Sequence, residues 1–246
     1  MEQSPRGGKR IAFFGGSFDP PHLGHVAVAR AARDALALDS VLFAPVGAQP
    51  LKPRGSTAGF EDRLAMTRLA IAGETGFAVS LADAPKPSAG PDYAPNYTFD
   101  TLHRLRAELP ADGALFCLMG ADSFFGLRQW HRGAEIPFVA PLIVASRPGQ
   151  PLDDLKAALP PGLTMEPAFL PPHASHATQG SSLRSCLLQN AAGGTTPLYL
   201  LPDLHIEISA SQVRERIQDA AGASDPKTQL LAPAVLAYIR SHGLYR

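Results

Sequence analysis

Six short apolar runs, most of them separated by helical patterning, constrain the fold more than any other feature. They are RIAFFGG (10–16), SVLFAPV (40–46), FAVSLAD (77–83), ALFCLMG (114–120), PLIVASR (141–147) and LYLLPD (198–203). Runs this short and continuous predict strands buried on both faces. LGHVAVARAARDALAL (23–38) follows the first run with a helical apolar stripe, FEDRLAMTRLAIAG (60–73) follows the second, and YTFDTLHRLRAEL (97–109) precedes the fourth. Strands alternating with helices predict βαβ units and a parallel α/β sheet. Ligands of such sheets bind at the carboxyl ends of the strands. The tail LLAPAVLAYIRSHGLYR predicts a last helix that starts after Pro233 and closes at Gly243.

At 246 residues, 45% of them hydrophobic, the chain can bury a sizeable core. Lys plus Arg and Asp plus Glu both number 22, so the chain lacks the electrostatic footprint of a nucleic-acid binder. Small anionic ligands remain open, because they need local donors rather than global charge. Two cysteines, Cys117 and Cys186, make neither a disulfide framework nor a zinc site. A reducing, cytoplasmic location is expected. No membrane span is expected, since no run approaches ~18 apolar residues. Residues 1–9 are polar and predicted to be disordered, leaving 10–246 as a single domain. Within it, 148–197 is rich in Pro, Ser, Gly and Ala. That segment reads as a short helix near 151–158, a strand near 163–169 and then a low-complexity loop or insertion. Oligomeric state is left open, a homo-oligomer included.

GGSFDPPHLGH (15–25) follows the first strand directly. Gly15 and Gly16 allow a tight turn and close backbone approach to a ligand. A helix predicted from Leu23 or Gly24 then presents unpaired N–H groups and a positive dipole end, a phosphate site in outline. His22 and His25 are three apart and share a face, so both imidazoles can donate to one anion. A metal half-site is the competing reading, but no third ligand stands nearby in sequence. Asp19 reads equally well as a turn former beside Pro20. In ISASQVRERI (208–217), Ser209 and Gln212 form a capping box, which predicts a second helix N-terminus able to hold phosphate. Ser211 and Arg214 share a face there.

These motifs together resemble the nucleotidyltransferase superfamily, whose signature is (T/S)-F-D-P-x-H-x-G-H. More narrowly, the chain resembles the bacterial nicotinate-nucleotide adenylyltransferases. APVGAQPLKP (44–53) is similar to that family's substrate loop, YTFDTL (97–102) to its Tyr-Thr-x-Asp-Thr-Leu element, and LMGADSF…LRQWHR (118–132) to its Gly-x-Asp-Ser…Trp element. ISASQVRERI and LAPAVLAYIRSHGLY (231–245) are similar to its closing motifs. The resemblance implies a Rossmann-like, doubly wound parallel sheet with a C-terminal helical part. It also implies adenylyl transfer from ATP to nicotinate mononucleotide, giving deamido-NAD and pyrophosphate. Another acceptor (nicotinamide mononucleotide or phosphopantetheine) and a non-catalytic nucleotide-binding protein are the alternatives.

The resemblance implies catalytic roles for His22, His25, Lys52 and Arg214. It implies ATP binding by Gly15, Gly16, Ser17, Phe18, His22, His25, Ser209, Ser211 and Arg214. The nicotinate nucleotide is implied to meet Thr98, Asp122, Trp130 and His131, with Trp130 stacked on the pyridine ring and Asp122 on a ribose hydroxyl. Its carboxylate is implied to be held by backbone N–H groups near Thr98 and His131. Ala210 stands where the family usually has a second serine, so one hydroxyl is lost. Mg²⁺ is expected with ATP, riding on phosphates and waters, because no acidic cluster offers a cage.

Overall fold

The computed structural model of the chain describes residues 8–51, 55–87, 94–145, 152–168, 183–201, 209–219 and 230–246. Five of the six apolar runs form strands whose alternate residues enter two separate cores; the run from Phe77 instead forms an edge strand, with Phe77 and Val79 packed against one core and Ala78 exposed. In β1 (Arg10–Gly16), Ile11 and Phe13 join one core while Ala12 and Phe14 join the other. β4 (Ala114–Gly120) repeats the division with Leu115, Cys117 and Met119 against Phe116 and Leu118. A strand covered on both faces needs apolar residues at every position, and these runs supply them.

The remaining strands are β2 (Ser40–Pro45), β3 (Phe77–Val79), β5 (Leu142–Ala145), β6 (Leu163–Pro167), β7 (Arg184–Asn190) and β8 (Thr195–Leu201). The sheet runs in the order β3-β2-β1-β4-β5-β8-β7-β6. The pairs from β3 to β8 are parallel, whereas β8-β7 and β7-β6 are antiparallel. α1 (Leu23–Leu36) packs Ala29, Ala32, Ala35 and Leu36 into one core. α3 (Thr98–Glu108), α4 (Ala121–Gly126), α5 (Ile136–Val139) and α6 (Leu152–Ala157) cover the other face. The chain moves outward from β1 to β2 and β3 and then returns to β4 on the opposite side. That reversal opens the crevice of a doubly wound sheet between the carboxyl ends of β1 and β4.

α2 (Phe60–Ala70), α7 (Ala210–Asp219) and α8 (Pro233–Ser241) share a third, smaller cluster. It contains Met66, Val213, Val235, Ile239 and Tyr245. Gly243, in the left-handed region with φ +61°, ends the last helix, and the Leu244 N–H returns to the Ile239 carbonyl at 3.0 Å.

Several boundaries differ from the sequence reading. The third strand stops at Val79, because the chain leaves the sheet and the Asp83 carbonyl accepts the Gly47 N–H. The last run starts three residues early, at Thr195. Its extension, Thr195 to Pro197, is paired only with β7. Residues 184–190, read as loop, form β7, and Cys186 and Leu188 are core residues. The helix and strand expected near 151–158 and 163–169 appear as α6 and β6. Residues 1–7 lie outside the described residues, while the Lys9 carbonyl accepts the Ala114 N–H.

Candidate active site

The signature segment lies at the carboxyl end of β1. At Gly15 an added Cβ would sit 2.8 Å from the Phe13 ring, so a larger residue would have to displace that buried side chain. Phe18 takes φ +48° with its side chain buried. A bulky residue in the left-handed region costs about 1–3 kcal/mol, so the surroundings must hold it. The Phe18 ring meets Phe14 edge-on at 5.5 Å and His25 at 5.0 Å.

His22 is the N-cap of α1, and the two imidazoles stack with centroids 3.7 Å apart. The His22 backbone N–H donates to His25 Nδ1 at 3.1 Å. His25 Nδ1 is therefore an acceptor, and a neutral His25 carries its proton on Nε2. Burial pushes His22 down to about 4 and His25 well below its ordinary value, the neighbouring His22 adding to the latter. Both rings are neutral near pH 7. His22 is only 6% exposed, and its Nδ1 is buried without a hydrogen-bond partner. The first turn of α1 contains no acidic residue, so its free N–H groups favour an anion.

Asp19 and Arg63 hold this loop in place. Arg63, 2% exposed, donates to the carbonyls of Ser17 at 2.7 Å, Val46 at 2.9 Å and Ala58 at 3.2 Å. Asp19, 4% exposed, accepts the N–H groups of Thr57 at 2.6 Å and Ala58 at 3.1 Å and the Tyr245 hydroxyl at 2.7 Å. Its carbonyl accepts Arg214 Nη1 at 2.6 Å, and the same guanidinium lies 3.9 Å from its carboxylate. Asp19 is thus a buried anchor rather than a plain turn former.

Arg214 also donates to Ser211 Oγ at 3.1 Å. Ser209 caps α7 as expected: its Oγ accepts the Gln212 N–H at 3.2 Å, and Gln212 Oε1 accepts the Ser209 N–H at 3.0 Å. The first turn of α7 contains no acidic residue either. Arg214, from the first turns of α7, therefore bonds the loop that leads to His22 at Asp19.

A second set of residues lines up from α3 to the turn after β4. Tyr97 is the N-cap of α3 and Thr98 its first residue, with no side chain capping the free N–H groups. The Tyr97 ring stands against His131 with centroids 4.5 Å apart. Trp130, half-buried, follows a 3-10 turn (Leu127–Gln129) and packs against the core. Asp122 falls inside the first turn of α4, whose N-cap is Gly120. A Cβ added at Gly120 would meet nothing within 4 Å, which leaves room at the end of β4.

Asn96 fixes this wall to the loop after β2. Its Oδ1 accepts the Ala48 N–H at 3.0 Å and its Nδ2 donates to the Ala84 carbonyl at 3.2 Å. The Thr101 hydroxyl donates to buried Asp83 at 2.5 Å. Gln49 Nε2 donates to Ser17 Oγ at 2.6 Å, which ties the loop after β2 to the signature segment.

Lys52 lies outside the described residues. Sequence reasoning missed Arg63, Asn96, Asp83 and Tyr245 as site residues. Their partners are mostly backbone carbonyls and amides far along the chain, which leave no local pattern to read. Tyr97 was legible as part of YTFDTL, but its pairing with His131 was not.

A family model described as cytidylyltransferase-like matches residues 13–216. Curated relatives match almost end to end. A protein of Laribacter hongkongensis is 39% identical over 96% of this chain and 94% of its own length. One of Chromobacterium violaceum is 36% identical over 96% and 99%, and one of Gloeobacter violaceus 35% over 97% and 97%. All three are described as probable nicotinate-nucleotide adenylyltransferases. The chain belongs to the cytidylyltransferase-like family, among its nicotinate-nucleotide adenylyltransferases. Solved members share the architecture at low identity. The Plasmodium falciparum nicotinic acid mononucleotide adenylyltransferase, complexed with NaAD, superposes with a TM-score of 0.64 at 16% identity over 96% of this chain and 97% of its own. A Vibrio parahaemolyticus protein described as a nicotinate-nucleotide adenylyltransferase gives 0.55 at 16% identity over 97% and 96%. At that identity the structures speak for the family fold alone.

Proposed function

We propose that the protein transfers the adenylyl group of Mg-ATP to nicotinate mononucleotide, giving deamido-NAD and pyrophosphate in NAD biosynthesis. The observation that carries this reading is the pair of helix N-termini, α1 with His22 and His25 and α7 with Ser209, Ser211 and Arg214, with Arg214 bonded to the Asp19 carbonyl three residues before His22. They offer donors and one cation, while the buried Asp19 carboxylate is already taken by donors.

The chemistry asks for little more. A phosphate oxygen of nicotinate mononucleotide bonds to the α-phosphorus of ATP, and the bond from that phosphorus to the bridging oxygen breaks. Pyrophosphate leaves with the bridging oxygen and its electron pair. The nucleophile is already an anion, so no proton has to be removed, and catalysis rests on alignment and charge stabilisation. In this reading Nε2–H of neutral His25 donates to the α-phosphate, and His22 holds the neighbouring phosphate. Backbone groups of Gly15, Gly16, Ser17 and Phe18 line the nucleotide. Ser209, Ser211 and Arg214 take the leaving pyrophosphate, with Lys52 as a further cation over the phosphates.

The acceptor lies along α3 and the turn after β4. Trp130 stacks on the pyridine, Asp122 meets a ribose hydroxyl, and backbone N–H groups near Thr98 and His131 receive the carboxylate. A carboxylate satisfies such donors better than the amide of nicotinamide mononucleotide does. In this reading the Mg²⁺ enters with the ATP substrate. Two unpaired, buried cysteines suit a cytoplasmic location, and no described helix is long and apolar enough to cross a membrane.

The test is pyrophosphate release from Mg-ATP with nicotinate mononucleotide, nicotinamide mononucleotide and phosphopantetheine in parallel. The reading expects the first acceptor to be preferred. Release with another acceptor alone would overturn the substrate while keeping nucleotidyl transfer.

A further inference from the structure

We infer that Tyr245, the penultimate residue, is a positioning residue for the ATP-phosphate site and acts through Asp19. The inference rests on the reading above. The Tyr245 ring belongs to the small cluster shared by α2, α7 and α8, where it is buried with Met66, Val213, Val235 and Ile239. Only its hydroxyl leaves that cluster, donating to Asp19 Oδ1 at 2.7 Å. Burial and the bond to Asp19 raise its pKa, so it remains a donor throughout the working pH range.

Asp19 is where Arg214 meets the signature loop. Its backbone lies in the segment that leads to His22, and its carbonyl and carboxylate set the place of the Arg214 guanidinium. Phe18, one residue before, sits in a left-handed conformation that the chain does not favour, so the loop depends on its ties. Among those ties the Tyr245 hydroxyl is the one side-chain donor that α8 and its C-terminal turn send to the carboxylate among the described residues. The last turn of the chain thereby holds a loop 226 positions earlier.

The geometry gives a clean variant, because Tyr245→Phe keeps the ring in its cluster and removes only the donor. Loosening of the loop that leads to His22 and seats Arg214 should lower kcat about tenfold, as expected when groups at the reacting phosphates are misplaced. The KM for ATP and the ATP dissociation constant measured by titration calorimetry should rise several-fold. The KM for the acceptor should stay within about twofold, because that side is held by Asn96, Thr101 and Asp83 instead.

A double-mutant cycle with Asp19→Ala, which removes the acceptor, separates action through Asp19 from general loosening. If Tyr245 acts through Asp19, adding Tyr245→Phe to Asp19→Ala should cost less than about twofold more. Unchanged kcat and ATP affinity in folded Tyr245→Phe would overturn the inference. So would parallel rises in both KM values, or full additivity in the cycle. Each ratio is taken with whichever acceptor the wild type turns over, and ATP affinity is measured without an acceptor, so failure of the substrate assignment leaves this test intact.

Discussion

Burial disfavours charge on either imidazole of the stacked His22–His25 pair, the neighbouring His22 adding to the effect on His25, and this decides how the pair responds to pH. His22 has a folded value of about 4 against an ordinary 6.5. Below pH 6.5 the unfolded chain takes up this proton and the folded chain does not. Stability contributed by the neutral ring is therefore complete above pH 6.5 and is lost progressively as pH falls towards 4. A difference of that size corresponds to at most roughly 3 kcal/mol. His22→Gln should lose markedly less stability than wild type between pH 7 and pH 4 in denaturant titrations. Equal acid losses in the two proteins would contradict the assignment. At neutral pH an incoming phosphate finds neutral donors, whose pKa values its own charge then raises.

At the scale of elements, β7 joins the core although its surroundings suggested an insertion. Leu188 is fully buried and packs in the larger core cluster. Leu188→Ala should lower unfolding free energy by about 2–5 kcal/mol, measured by denaturant unfolding. A change under about 0.5 kcal/mol would show that the hairpin does not belong to the core. The loop after β2 makes a comparable demand at Gly47, where a Cβ would lie 2.4 Å from the Pro85 backbone nitrogen. Backbone cannot yield as a side-chain tip can, so Gly47→Ala should cost about 1–3 kcal/mol in the same assay. An unchanged midpoint would mean that the loops separate freely.

These elements also mark how far the sequence could be read. The strands buried on both faces declared themselves as continuous apolar runs, and so did α1, α2, α3 and α8 by periodicity. β7 did not, because RSCLLQN is half polar and lies between glycine- and serine-rich stretches. α4 and α5 are too short to show a helical period. At the site, the histidine pair and the α7 capping box were legible because their partners lie within four residues. Asp19, Arg63, Asn96 and Tyr245 work over long sequence separations, and no local pattern records such contacts.

At the scale of the whole molecule, the doubly wound sheet brings the carboxyl ends of β1 and β4 together, and the C-terminal helices close over the signature loop through Asp19. In the proposed reaction this assembly transfers the adenylyl group by alignment and hydrogen-bond donation, with His25 at the reacting phosphate. Deamido-NAD formation from Mg-ATP and nicotinate mononucleotide, compared between wild type and His25→Ala, tests that role. The expected result is turnover by wild type and a kcat lower by about 10²–10³ in the variant, since one transition-state donor is removed. A His25→Ala enzyme as fast as wild type, or a wild type that forms no deamido-NAD, would contradict the account.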